Sequence, residues 1–474
     1  MSRRGVGWWA VATLVALAVG GPDPAGQAPE SGFSLRPCQS GAEGGRGECG
    51  RLTVFENRAA RRGRRIDIHF MVLRAEKPGA RQALFLFGGG PGQGSTALAP
   101  AADLWAKPVR ASQDIVMVDQ RGTGRSHPLN CSFDTEANPA GAFGHIFDPA
   151  AVARCRATLE PDADLTQYMT DHAIEDVEEV RARLGYEKVS LYGGSYGSRM
   201  AQAYLRRHPE RVRAVVLDGV VPFDVAVPLT YARSAQQALD RVFAACAARP
   251  ACQAAHPDPG GDMSAIQRRL AAERVAAKVT PRSGLPVRVP LSAGDFGYAV
   301  RGILYSARTA PELPDLLGRA IATGSLDEFA QRYYDRQARF ADGFAHGLHF
   351  SVFCAEDVPF PTEQDIVDAT EGTFLGRYLF DEYRHACANW PRGAIRADAR
   401  TPVTARVPTL LISGWFDPST PTQFAERVAQ TLSEHRLLVA PSGAHVSAFS
   451  CAGPAAGHVL ATGSFAGMPA VCGQ

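Results

Sequence analysis

Residues 188–199 read KVSLYGGSYGSR. A short apolar run ends in two glycines, then come Ser195, an aromatic residue and a third glycine. The stretch AQAYLRRHPERV that follows has helical spacing, so the local order predicted is strand, sharp turn, helix. Gly193-Gly194-Ser195-Tyr196-Gly197 fits G-x-S-x-G, a turn so tight that bulky flanking residues would clash, leaving the hydroxyl raised at the end of the strand. The helix behind it points its N-terminus at the serine and favours developing negative charge there. The bland alternative is a glycine-rich turn with a structural serine. In a chain with 47 glycines the pattern alone is weak, and the strand before it and the helix after it give it weight.

Outward from that turn, unbroken apolar runs recur at 84–87, 115–118, 189–191, 215–217, 410–412 and 437–439. Short runs of this kind, bounded by Gly, Asp or Pro, predict strands buried on both faces of a parallel sheet. Between them Ala173, Val177, Val180 and Leu184 hold one helical face, and Gly185 ends that helix. The fold class is therefore α/β, a mostly parallel central sheet with helices on both faces. From about 222 to 400 the periodicity turns mainly helical, with amphipathic helices expected over 231–248 and 263–277. The βα pattern resumes near Val407. The organisation expected is a signal segment (1–28), a first core part (29–221), a helical lid insertion (222–400) and a second core part (401–474). Such an insertion would cover the carboxyl edge of the sheet, where ligands bind.

A serine hydroxyl needs a base. In a strand–turn–helix arrangement of this kind the partners follow in the order Ser, acid, His. TLLIS runs into GWFDPSTP, which sets Asp417 just past one strand. RLLVA runs into PSGAHVS, which sets His445 just past the next. Asp417 would orient the imidazole, and His445 would move the Ser195 proton. Rivals have duller readings: Asp119 as a turn brace, Asp218 as a strand-end cap, His208 as structural or surface. The oxyanion donors expected are the backbone N–H of Tyr196 and that of Gly90, in the loop FLFGGGPGQG. That loop lacks the GK[ST] of a phosphate-cradling loop and the acidic residue of a dinucleotide site, so no nucleotide is implied.

The 474 residues are 45% hydrophobic and carry a formal net charge of +2, which argues against a nucleic-acid partner. The Arg-rich 61–65 reads as a solvated hairpin tip. Arg3 and Arg4, the apolar run 6–19 and a small, Pro-rich stretch have the form of a cleavable export signal, with an uncleaved membrane anchor as the alternative, and no other segment could span a membrane. The SRRGV opening resembles a twin-arginine signal. Ten cysteines, Cys38, Cys49, Cys131, Cys155, Cys246, Cys252, Cys354, Cys387, Cys451 and Cys472, fit an exported, oxidised protein, with pairing between successive neighbours expected. There is no CxxC and no HExxH, so neither metal nor cofactor is implied.

In order along the chain, GGGPG, DQRGTGRS, GGSYGS, VLDGVV, GWFDPSTP and GAHVS resemble the α/β-hydrolase family of prolyl and tripeptidyl aminopeptidases. The likeness is greatest to its secreted, Cys-containing, tripeptidyl-aminopeptidase-like branch. The resemblance implies an α/β-hydrolase fold, with Ser195, Asp417 and His445 as triad and Gly90 and Tyr196 as oxyanion donors. It also implies lid carboxylates for the substrate's free ammonium, for which Glu356 and Asp357 in SVFCAEDVP are the candidates; a structural carboxylate pair is the competing reading. Phe87 and Gly88 stand where the family usually has His, and Ser198 where it often has Thr. The function expected is an exported, periplasmic or extracellular serine hydrolase, an aminopeptidase on small peptides. A carboxylesterase on small esters is the alternative, and a non-catalytic binding protein the third reading.

Overall fold

The computed structural model describes residues 34–40, 45–77, 79–133, 136–341, 343–447 and 450–470. The signal segment expected at 1–28 lies outside them, as does Cys472.

Nine strands form one sheet: β1 (Arg36–Gln39), β2 (Arg46–Phe55), β3 (Arg65–Leu73), β4 (Gln82–Phe87), β5 (Asp114–Val118), β6 (Lys188–Gly194), β7 (Val212–Asp218), β10 (Thr409–Gly414) and β11 (His435–Ala440). The order is β1-β2-β3-β5-β4-β6-β7-β10-β11. From β5 to β11 every pair is parallel, and β1 to β3 join antiparallel at one edge. All six apolar runs picked from sequence fall inside strands. β5 (DIVMV) and β10 (TLLISG) are buried along their whole length, as strands covered on both faces must be.

The antiparallel edge was not anticipated. β2 alternates buried and exposed residues over Gly50–Val54, a half-solvated pattern without an unbroken apolar run. Its link to β3 carries the exposed Arg61–Arg64, the hairpin tip expected.

Helices cover the sheet. Thr170–Leu184 ends at Gly185, whose φ of 77° suits glycine. Gly453–Thr462 lays Val459 and Leu460 against Leu84, Met117, Val216 and Ile412. Each such side chain contributes roughly 1.5–3 kcal/mol by leaving water. Arg121, from the DQRGTGRS stretch, is fully buried and reaches Asp176 on Thr170–Leu184 through two nitrogens, 2.7 and 2.8 Å. It fastens the loop after β5 to that helix.

Between β7 and β10 the chain forms helices that include Val227–Ala247, Pro259–Ala272, Ala293–Leu304, Asp327–Ala341, His346–Glu356 and Tyr378–Cys387, plus a hairpin of β8 (Val275–Val279) and β9 (Val287–Leu291). One expectation is corrected here. The helix expected to reach 277 stops at Ala272, because Val275, Ala277 and Val279 then alternate with exposed residues and pair with β9.

Four disulfides join sequence neighbours: Cys38–Cys49, Cys131–Cys155, Cys246–Cys252 and Cys354–Cys387. Cys451 is disulfide-bonded as well. No helix among the described residues is long and apolar enough to cross a membrane.

Candidate active site

The turn after β6 has the geometry its sequence requires. Ser195 adopts φ 57°, ψ −127°, a strained conformation for a residue with a side chain, while its N–H donates to the Asp218 carbonyl at 2.8 Å. A Cβ on Gly193 would stand 2.0 Å from the Gly197 carbonyl oxygen, and one on Gly197 2.3 Å from that of Phe87. Both positions exclude any other residue. Ser198 braces the turn: its hydroxyl donates to the Ser195 carbonyl at 2.6 Å and accepts from Val221 N–H at 2.9 Å. Asp218, at the end of β7, accepts from Tyr192 and from Ser447 N–H, which makes it a strand-end cap. Asp119 accepts from Thr96 and Arg125 and lies beside His69, a turn brace.

Asp417 follows β10 and His445 follows β11. Their strands run parallel as neighbours, which brings the two loops together. The carboxylate oxygens lie 2.9 and 3.0 Å from His445 Nδ1. They also accept from Ser419 N–H, Thr420 N–H and the Thr420 hydroxyl. Burial opposes the charged form of Asp417, yet His445 and these donors outweigh it and hold the carboxyl below its usual range. Burial likewise opposes the imidazolium, but the adjoining Asp417 charge and hydrogen bond win and raise His445 to about 9.

Ser195 and His445 line one cavity of about 860 Å³ that also takes in Gly90 and Tyr196. No hydrogen bond joins the Ser195 hydroxyl to the imidazole in this state. The glycine loop after β4 is buttressed from the inserted region. Ala345 N–H donates to the Gly92 carbonyl at 3.0 Å, and His349 Nδ1 lies 2.8 Å from that of Pro91. A carbonyl can only accept, so Nδ1 carries the proton and Nε2 faces the Tyr383 hydroxyl at 3.0 Å. Burial holds His349 neutral, down at about 4.

The lid carboxylates require a correction. Neither Glu356 nor Asp357 lines the cavity. Both Asp357 oxygens are taken by Arg199, at 2.7 and 3.0 Å, inside the protein. Glu356 accepts from the N–H and hydroxyl of Thr170, both at 2.8 Å, and burial pushes it up to about 7 against the pull of Arg199. Thr170 in turn meets the Tyr196 hydroxyl at 2.8 Å. The pair stands beneath the Ser195 turn, outside the cavity.

Sequence reasoning missed a cluster on the opposite wall. Tyr305 lies edge-on to His445, Arg301 donates to its hydroxyl at 2.8 Å, and the Arg336 guanidinium lies 4.6 Å from its ring centre. The readable signal was an arginine inside the otherwise apolar AGDFGYAVRGIL.

Comparison with known proteins agrees with this architecture. Residues 82–256 match the family described as alpha/beta hydrolase fold, and residues 373–472 the family described as TAP-like protein. The serine protease Hip1 of Mycobacterium tuberculosis is 25% identical over 374 residues, 73% of this chain and 71% of that protein. The tripeptidyl aminopeptidase of Streptomyces lividans is 31% identical over 193 residues, 37% of this chain and 35% of that protein. The proline iminopeptidase of Neisseria gonorrhoeae is 34% identical over 106 residues, 22% of this chain and 24% of that protein. These matches give the chain an α/β-hydrolase fold and make it a serine hydrolase, similar over parts of its length to prolyl and tripeptidyl aminopeptidases.

Proposed function

We propose that this protein is an exported serine peptidase that cleaves short peptides from a free N-terminus, using Ser195, Asp417 and His445 as its triad. The observation that carries the reading is His445, bonded to the buried Asp417, lining one cavity with a serine held at φ 57°. Neutral His445 takes the Ser195 proton as the hydroxyl oxygen attacks the acyl carbon. Asp417 fixes the tautomer with Nε2 turned to the serine and stabilises the imidazolium once formed. The N–H groups of Tyr196 and Gly90 receive the oxyanion, and each such donor is worth about 3–4 kcal/mol of transition-state stabilisation. His445 then protonates the departing amine, and water releases the acyl group by the reverse of the same steps. The names of the relatives, a serine protease, a proline iminopeptidase and a tripeptidyl aminopeptidase, support a peptide substrate. The disulfides support export.

One observation favours the carboxylesterase alternative. Glu356 and Asp357 are spent inside the protein, and among the described residues lining the cavity the only carboxylate is Asp148, which caps the helix Pro149–Leu159 through Ala151 N–H. Turnover of an alanyl tripeptide anilide with a free amino group, of its N-acetyl form and of 4-nitrophenyl acetate separates the readings. Hydrolysis of the free peptide alone supports the exopeptidase. Equal rates for free and acetylated peptide refute it, and ester hydrolysis without peptide hydrolysis establishes the esterase.

A further inference from the structure

The wall of the cavity around Tyr305 is cationic, and among the described residues lining the cavity only Asp148 is an acid. Arg301 is almost completely buried. One of its terminal nitrogens donates to the Tyr305 hydroxyl at 2.8 Å and the Ser419 hydroxyl at 2.7 Å, while its Nε has no partner. Arg336, half-buried, lies against the rings of Tyr298, Tyr305 and Phe340, and its Nε is likewise without a partner. Neither guanidinium forms an ion pair among the described residues, although both line the cavity. Every other deeply buried arginine here has a carboxylate or carbonyl: Arg121 has Asp176, Arg181 has Glu178, Arg199 has Asp357.

Burying a cation without a counter-charge is unfavourable by several kcal/mol. The aromatic rings offset part of this: the Arg301 guanidinium is 4.1 Å from the Tyr231 ring centre and 4.9 Å from that of Tyr305. Rings supply no acceptor for the two idle N–H groups. Both Nε atoms are closed to solvent, so a planar, two-oxygen anion entering the cavity would meet the outer guanidinium nitrogens and supply the missing charge.

We propose that Arg301 and Arg336 form a carboxylate-binding subsite, so that the substrate hydrolysed at Ser195 is one that carries a carboxylate group. The subsite adjoins the reacting groups. Ser419, which accepts from Arg301, donates its own N–H to Asp417 at 2.8 Å, and Tyr305 lies between the guanidinium groups and His445. The same cations affect Tyr305. Burial favours its neutral form, but Arg301, His445 and Arg336 prevail and bring the phenol down to about 8. The inference rests on the serine-hydrolase reading above. In a peptide the carboxylate is that of the C-terminus or of an Asp or Glu side chain; in an ester it is on the acyl chain.

The test compares kcat/KM within matched pairs on the intact protein. The pairs are tetra-alanine against its C-terminal amide, tetra-alanine amides with Asp against Asn at each position, and mono-4-nitrophenyl glutarate against 4-nitrophenyl butyrate. At least one pair should favour the carboxylate by about tenfold or more, the range of a charge-assisted hydrogen bond. The pair that responds identifies the source. In Arg336→Gln, at the more exposed position, and in Arg301→Gln that ratio should fall towards one. Ratios within twofold for every pair in the wild-type protein, or a preference that survives Arg336→Gln unchanged, overturn the subsite. Loss of fluorophosphonate labelling of wild-type Ser195, with no turnover of the neutral ester, overturns the serine-hydrolase reading instead.

Discussion

Tyr305 stands edge-on to His445, with ring centres 5.0 Å apart and ring planes at 69°. Arg301, Arg336 and His445 face this phenol as charged groups, and Ser419, Tyr231 and Tyr298 complete its surroundings. The two titrations oppose each other, since an ionised Tyr305 helps keep His445 protonated.

A pH profile follows from that contact. Proton abstraction needs neutral His445, so ester kcat/KM should rise with pH through a midpoint near 9. Tyr305→Phe removes one of the anions that favour the imidazolium, and the midpoint should move down. An unshifted midpoint would separate the two groups. The raised value also bears on stability: the His445 contribution is complete below its ordinary value of 6.5 and is lost as pH rises through about 9. The depressed Asp417 acts oppositely, stabilising above its ordinary range and ceasing to do so as acid protonates it.

Asp417→Asn should lower kcat by about 10⁴-fold with KM little changed, because the amide favours the wrong imidazole tautomer. Ser195→Ala should abolish both turnover and fluorophosphonate labelling. Steady-state kinetics on the ester with a labelling gel checks both, and an active Ser195→Ala protein would remove the serine from the mechanism.

Asp357→Ala should act on stability. It leaves buried Arg199 with only Glu356, 4.0 Å away, and two backbone carbonyls, a loss of up to about 3–5 kcal/mol. Chemical denaturation should register it, while the free-to-acetylated peptide rate ratio stays as in the parent. A changed ratio with unchanged stability would return Asp357 to the substrate.

The Cys354–Cys387 bond links the helices His346–Glu356 and Tyr378–Cys387 across a sequence separation of 33. Replacing both cysteines with alanine should lower unfolding free energy by about 2–4 kcal/mol. It should also weaken activity, since the first of these helices carries His349, which braces the glycine loop at Pro91. Denaturant titration and ester kinetics on the double variant measure the two effects.

The parallel strands were legible because each is an apolar run closed by Gly, Asp or Pro, and the serine turn because only glycine fits at 193 and 197. Asp417 and His445 were legible because each comes directly after such a run. The failures share a cause. Nothing near Glu356 and Asp357 in sequence announces Arg199, 158 residues from Asp357, and a carboxylate's role depends on its partner. Pro259–Ala272 was overextended because small residues such as Ala276 and Ala277 suit helix and strand alike, and the deciding neighbour was β9. Arg301 and Arg336 passed unnoticed because helical spacing marks which face is buried and is silent about what a buried cation lacks.

β7 and β10 lie side by side, Asp218 opposite Ile412, although the segment between them holds most of the helices outside the sheet. That segment thus leaves and rejoins the scaffold at adjacent points. Its supports to the scaffold run through Ala345 and His349 at the glycine loop and through Glu356 and Asp357 beneath the serine turn. Arg301 and Arg336 belong to the same segment, so the part of the chain that braces the serine turn also lines the cavity in front of it.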